Sequence, residues 1–303
     1  MLVKAVRSYL VVRRAAGFKL EVDEWLLRSF ALFAEKQGEQ FVRAQTAMDW
    51  ASRSTSPEQK ARRLRIIIRW ARYLRAEDHR HEIPPDQDFG QRRQRTLPFI
   101  FEPADIDRLI QQALQLPSPD SLLPHTFSTL FSLLTCTGLR ISEALALRFD
   151  DVTTDGLRIR ETKFRKSRLV PLHDTAVSGL ERYLALRRRL DASHDHVFVS
   201  PRGGPLRYAY VRKIFRRLVE AVGLEAPPGQ ARPQLHSLRH TFAVRALESC
   251  PDGRDRIAQH MLALSTYLGH AKVADTYWYL QATPQLLNDI GSVAEDFIKG
   301  ERK

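Results

Sequence analysis

The chain has 303 residues, with 48 Lys and Arg against 35 Asp and Glu, giving a formal charge of +13 at pH 7. This length leaves room for two domains with buried cores, and the excess of cations favours a polyanionic partner, nucleic acid first. The two cysteines, Cys136 and Cys250, are too few for a disulfide framework and fit a reducing cytoplasmic setting. The opening MLVKAVRSYLVVRR interrupts its apolar residues with Lys4, Arg7, Arg13 and Arg14, unlike a secretory signal peptide. The least charged stretch, Leu122 to Leu139, carries Pro124, His125 and several hydroxyls, so it suits a buried helix rather than a membrane span.

In chain order, the first part reads as helical throughout, roughly over residues 4–15, 21–36, 41–52 and 57–76, with no strand. Ser56-Pro57 opens the last of these as an N-cap followed by proline in the first turn. Taking 100° per residue, Arg62, Arg65, Arg69 and Arg72 fall within about 80° of one another, opposite Leu64, Ile67, Ile68, Ala71 and Leu74. Few carboxylates accompany this row at helical spacing, since Glu58 precedes it and Glu77 follows it. Such a row can track a phosphate backbone, and an ordinary solvated helix face is the competing interpretation.

Composition changes across residues 82–99, EIPPDQDFGQRRQRTLPF, where three prolines, a glycine and charges gather as a linker does. The expected division is a helical domain at 1–90, a linker at 91–97, a second domain at 98–284 and a tail at 285–303. Glu102-Pro103 opens a further helix, and helical patterns follow over residues 125–136 and 141–148. GLRIRETKFRKSRLVPL then holds two short alternating segments, Leu157 to Arg160 and Arg168 to Leu172, flanking a basic turn as a β-hairpin would. Val197 to Val199 is the expected third strand. Beyond Tyr208 the pattern is helical again, broken at EAPPGQARPQ and at Cys250-Pro-Asp-Gly. The fold class is therefore mainly α in two domains, the second carrying a small antiparallel β-sheet.

The residues that carry chemistry lie in this second part. Thr137-Gly-Leu-Arg140-Ile-Ser-Glu143 places an arginine just after a glycine and just before a helical pattern, where orphan N–H groups also favour an anion; taken alone, it fits a surface ion pair with Glu143 better. Lys163 stands on the hairpin turn, beside Arg165 and Lys166, which suit solvent as readily. In Leu235-His-Ser-Leu-Arg-His, His236, Arg239 and His240 occupy i, i+3 and i+4 and share one helix face, with Leu238 and Phe242 on the buried side. Histidines at that spacing can hold zinc, but Arg239 between them repels a divalent cation and no cysteine or acidic cluster completes a ligand set. Downstream lie Leu268-Gly-His270 and Asp275-Thr-Tyr-Trp-Tyr279. Tyr277 and Tyr279 point about 200° apart on a helix, so only one can face a phosphate.

The order of T-G-L-R-x-S-E, a lysine before R-L-V-P-L, H-x-L-R-H, L-G-H, and a tyrosine nine residues beyond that last histidine resembles the tyrosine recombinase (phage integrase) family. The likeness covers the catalytic domain from about residue 98 to 290, while the helical domain before it matches the family's core-binding (SAM-like) domain only in position and texture. DTYWYLQATPQLL further resembles recombinases of mobile elements. The segment from Arg239 to His270 is longer than in compact members, with Cys250-Pro-Asp-Gly-Arg-Asp as an extra loop.

The resemblance implies a site-specific DNA recombinase that breaks and rejoins strands through a 3′-phosphotyrosyl intermediate, without metal, ATP or other cofactor. By its spacing Tyr279 is the nucleophile, Arg140 and Arg239 clamp the phosphate, Lys163 protonates the leaving oxygen, His236 accepts the tyrosine proton and His270 donates to the phosphate. It also implies double-stranded DNA as partner and a homotetramer on paired sites. The tail, with Leu286, Leu287, Ile290, Val293, Ala294 and Phe297 at near-helical spacing, would dock on a neighbouring protomer or pack on its own domain. A type IB topoisomerase or resolving enzyme and a catalytically silent DNA-binding protein are the alternatives.

Overall fold

The computed structural model describes residues 1–18, 20–86, 96–117, 122–160, 167–189, 194–249 and 254–270, together with Thr276 and Tyr279. The chain divides into two compact units, Met1–Arg95 and Thr96–Lys303.

The first unit is built from α1 (Leu2–Ala15), α2 (Glu21–Lys36), α3 (Ala44–Ser52) and α4 (Pro57–Glu77). Helix α3 begins three residues later than the periodicity predicts. Phe41 and Val42 instead meet the chain returning from α4, where the Val42 N–H donates to His81 Nδ1 at 3.1 Å and Glu82 N–H donates to the Val42 carbonyl at 2.9 Å. Ser56 caps α4 as expected, its Oγ accepting from Gln59 N–H at 3.2 Å, with Pro57 in the first turn. The apolar face of α4 packs Ile67, Trp70 and Ala71, all fully buried, against Phe30 and Ala31 of α2 and Trp50 of α3. Phe30 meets Trp50 and Trp70 edge-on, with ring centres 5.5 and 6.2 Å apart.

In the second unit α5 (Pro103–Leu114), α6 (Leu122–Thr137) and α7 (Ile141–Ala146) lead through a 3-10 turn (Phe149–Asp151) into the sheet. Then come α8 (Asp174–Arg188), α9 (Tyr208–Ala221), α10 (Leu235–Glu248) and α11 (Arg254–Leu268). Helix α6 is the central element, contacting α5, α8 and α10, and it buries Phe127, Leu130 and Phe131 completely. Uncharged along its whole length, it matches the buried helix expected of Leu122 to Leu139. Among the described residues no helix is long and apolar enough to cross a membrane.

Strands β1 (Val152–Thr153), β2 (Gly156–Ile159) and β3 (Arg168–Val170) form an antiparallel sheet in the order β1-β2-β3. Leu157 pairs with Val170 and Ile159 with Arg168, as the hairpin pattern predicts. The expected third strand needs correction: Val197–Val199 is not in this sheet. Val199 makes an isolated bridge to Pro205, and Val197 N–H donates to the Leu147 carbonyl at 2.8 Å. The second edge of β2 is taken by β1, delivered by the two-residue Thr154–Asp155 turn before Gly156, so a short-range pairing supplies the third strand.

Candidate active site

Two helix ends create the site. Helix α6 stops at Gly138, which adopts φ +60°, and a Cβ there would lie 2.4 Å from the Phe242 ring. No other residue fits that corner, and the chain leaves it to place Arg140 as the N-cap of α7. Helix α11 stops at Gly269, with φ +65°, in a Schellman turn: Gly269 N–H donates to Thr266 and His270 N–H to Ser265, both at 3.0 Å. The glycines of T-G-L-R and L-G-H are thus helix terminators that aim the residues following them.

The carbonyls left over at these ends are held by the two arginines. Arg239 of α10, 2% exposed, donates from Nη1 to the Gly138 carbonyl at 2.6 Å and from Nη2 to the Leu268 carbonyl at 2.8 Å. Arg140 donates to the Leu268 and Gly269 carbonyls at 3.3 and 3.0 Å. Helix C-termini carry unsatisfied acceptors and negative dipole ends, so guanidinium groups are their natural partners. Burial, followed by the charge of Arg140, lowers the Arg239 pKa to about 10, while the Tyr279 phenol and Glu143 act in the opposite direction. Arg239 remains charged at pH 7.

Arg140 also makes the ion pair that its sequence context allowed. Its Nη1 lies 2.9 Å from Glu143 Oε1 and its backbone N–H 3.0 Å from Oε2. Glu143 is shared with Arg168 of β3, at 3.1 and 2.8 Å. Burial alone would raise the Glu143 pKa, but Arg168 first and Arg140 second outweigh it and hold the carboxyl below the usual range. Sequence reasoning gives Arg168 no role; its place as the first residue of R-L-V-P-L, at the start of β3, is the signal that marks it.

On α10, the His236 and His240 rings meet edge-on with centres 4.4 Å apart, and His240 meets the Tyr279 ring at 5.5 Å. Burial, then Arg239 and Arg140, pulls the His236 pKa down to about 4. The residue keeps more than a third of its surface in solvent, and the lowering leaves its imidazole neutral at pH 7. His240 is lowered to about 3 by burial and then by His236, Arg239 and His270. The Tyr279 ring is 3% exposed and stacks on His270 at 6.0 Å between centres. Its phenol is close enough to Arg239 to act on the charge of that guanidinium. His270 takes up the space between, with Nε2 3.0 Å from Arg239 Nη2 and Nδ1 2.7 Å from Thr276 Oγ1.

Arg140, Arg239, His270 and Tyr279 therefore come together, with His236 joined to the Tyr279 ring through His240. Lys163, Tyr277 and the tail at 285–303 lie outside the described residues. Among the described residues no group of three or more His, Cys, Asp or Glu side chains is placed to hold a metal ion. Arg62, Arg65, Arg69 and Arg72 are all exposed on α4, opposite the buried Leu64, Ile67, Ile68, Ala71 and Leu74. The row is less free of carboxylates than α4 alone indicates, because Asp23 of α2 reaches Arg69 at 3.2 Å. A second cationic face, Arg212, Lys213, Arg216 and Arg217 on α9, is exposed in the second unit. The i, i+1, i+4, i+5 spacing of those residues, alternating with buried Val211, Ile214, Phe215 and Leu218, is the pattern from which it was legible.

Residues 100–285 match the model of the phage integrase family. The chain belongs to this family. As a member it is a tyrosine-type site-specific recombinase, an enzyme that breaks and rejoins DNA strands. The chain is 37% identical over 296 residues to the putative integrase/recombinase y4rB of Sinorhizobium fredii, covering 94% of each. It is 29% identical to tyrosine recombinase XerD of Caulobacter vibrioides, covering 80% of this chain and 76% of that protein. Its fold is similar to that of the XerH site-specific recombinase bound to a palindromic difH substrate (TM-score 0.65, 20% identity, 89% of this chain and 78% of that one). A lambda integrase dimer bound to a core site is similar too (TM-score 0.63, 17% identity, 91% and 76%).

Proposed function

We propose that this recombinase cuts each DNA strand by attack of the Tyr279 hydroxyl on the scissile phosphorus. The new bond is a 3′-phosphotyrosyl ester, and the P–O5′ bond breaks. One observation carries the proposal: the buried Tyr279 ring stacks on His270, whose Nε2 lies 3.0 Å from Arg239 Nη2, so the nucleophile stands beside the group suited to a phosphate.

Arg239 and Arg140 hold the non-bridging oxygens and stabilise the charge that grows on them in the transition state, the task a metal performs in other phosphoryl-transfer sites. A phenol titrates near ~10, so its proton must be removed at neutral pH. His236 accepts it, its depressed pKa keeping the imidazole unprotonated. Lys163 gives a proton to the departing 5′ oxygen, and His270 supports the phosphate from the side of Arg239. The ester keeps the energy of the broken phosphodiester, so rejoining to a new 5′ hydroxyl requires no ATP.

Double-stranded DNA is the substrate, its backbone engaged by the cationic faces of α4 and α9. Four protomers assemble on two paired sites. The test uses a supercoiled plasmid carrying two copies of a duplex that the protein itself selects from a random pool. Excision of the circle between the copies is the expected result; relaxation without exchange would assign the chain to topoisomerase chemistry, and retarded but uncut DNA would leave it a binder.

A further inference from the structure

Strand alternation places Arg168 on the inner side of the sheet. It pairs across from Ile159 and stands two residues before Val170, both buried, while Arg158 and Leu169 point outward to solvent. A charged side chain in that position is costly unless paired, and its fork meets Glu143 with both Nη groups. The pair is nearly closed to water, with 14% of the Arg168 side chain and 8% of the Glu143 side chain exposed.

Glu143 stands on the single short helix that Arg140 caps, and it receives the Arg140 backbone N–H and Nη1 on the same carboxylate that Arg168 grips. The two guanidinium groups also converge on one glycine: a Cβ on Gly269 would lie 3.0 Å from Arg168 Nη1 and 3.6 Å from Arg140 Nη1. Two like charges at such close quarters repel; Arg140 also holds the Leu268 and Gly269 carbonyls, and the carboxylate is the group that Arg140 and Arg168 share. With Arg168 removed, Glu143 would retain Arg140 as its one cationic partner among the described residues and would follow the arginine instead of directing it.

We infer that Arg168 is a positioning residue: through its two-pronged grip on Glu143 it fixes the direction of Arg140, and so ties the β-hairpin to the phosphate clamp. This inference rests on the proposed reading that Arg140 binds the scissile phosphate.

The test is a double-mutant cycle in the full-length chain, using a pool-selected duplex nicked so that the cleaved fragment diffuses away and the covalent complex accumulates. Arg168→Lys keeps the charge and loses the fork. At saturating DNA its single-turnover rate is expected to fall roughly ten- to hundred-fold, as for a clamp misplaced by about 1 Å, with little change in the half-saturating DNA concentration. In an Arg140→Lys background the same change should cost little more, because no aimed fork remains to be misdirected.

An unchanged rate, a loss confined to half-saturation, or equal fractional losses in both backgrounds would overturn the inference. If Arg168→Lys melts at a lower temperature, the paired change Arg168→Gln with Glu143→Gln, which removes both charges, takes its place; wild-type cleavage by that variant would be equally fatal. Absence of any covalent complex from the wild-type chain would instead sink the recombinase mechanism itself, and this inference with it.

Discussion

Arg239 and His270 meet at 3.0 Å, Nη2 to Nε2, and only the arginine can donate. The imidazole proton is thereby assigned to Nδ1, which gives it to Thr276 Oγ1 at 2.7 Å. In this DNA-free arrangement Nε2 is an acceptor. A phosphate that draws the Arg239 Nη2 proton to itself releases Nε2, and the imidazole can then turn a protonated nitrogen toward the same phosphate.

That chain of contacts predicts a role for Thr276. Thr276→Val removes the acceptor for Nδ1–H and should slow single-turnover cleavage, though by less than His270→Ala, which should forfeit about 10²-fold or more. Thr276→Ser, which keeps the hydroxyl, should restore most of the rate. Equal rates for the valine variant and the wild type would detach Thr276 from the site.

Gly138 is fixed by geometry twice over, through its φ of +60° and through the Phe242 ring 2.4 Å from where a Cβ would be. Gly138→Ala should destabilise the chain by roughly 2 kcal/mol or more, from left-handed strain and overpacking together. Urea unfolding measures this, and adding Phe242→Leu should recover the packing part alone. A neutral Gly138→Ala would mean that the corner relaxes freely.

The α4 row predicts unequal contributions to DNA affinity. Arg65→Ala should reduce the slope of log affinity against log salt by about 1, as for one lost phosphate contact. Arg69→Ala should change it less, since Asp23 already neutralises part of that charge. Identical slopes for Arg65→Ala and wild type would remove this face from the interface.

The depressed histidines set the acid side of the stability profile. His236 and His240 fall from an ordinary 6.5 to about 4 and about 3, so below pH 6.5 the unfolded chain binds protons that the folded chain refuses. Their contribution is complete above pH 6.5 and is lost progressively as the pH falls through the folded values. The melting temperature should therefore drop between pH 6.5 and 4, and a His236→Asn, His240→Asn variant should show a shallower fall. A variant as acid-sensitive as the wild type would place the titration elsewhere.

Much of this was legible in the sequence because local rules carried it. Ser56-Pro57 announced α4, and its apolar stripe separated core from cationic face. T-G-L-R, H-x-L-R-H and L-G-H each sit where a helix begins or ends, so the short sequences that mark the site are also those that bound its helices. What was not legible depends on long-range partners. No spacing rule links Arg168 to Glu143, 25 residues earlier and across from strand to helix. Strand β1 is two residues long and was set by a turn, whereas the longer apolar run Val197 to Val199 found single bridges instead. Likewise, α4 by itself could not show that Asp23 would come from another helix to meet Arg69.

The most direct test of the account is the chemical identity of the covalent complex. The wild-type chain, incubated with a nicked pool-selected duplex, denatured and digested, should yield one tyrosyl peptide joined to a 3′-phosphate, with Tyr279 as the modified residue. Tyr279→Phe should bind that duplex with unchanged affinity and yield no adduct. An adduct that persists in Tyr279→Phe, or one mapped to Tyr277 in the wild type, would contradict the assignment.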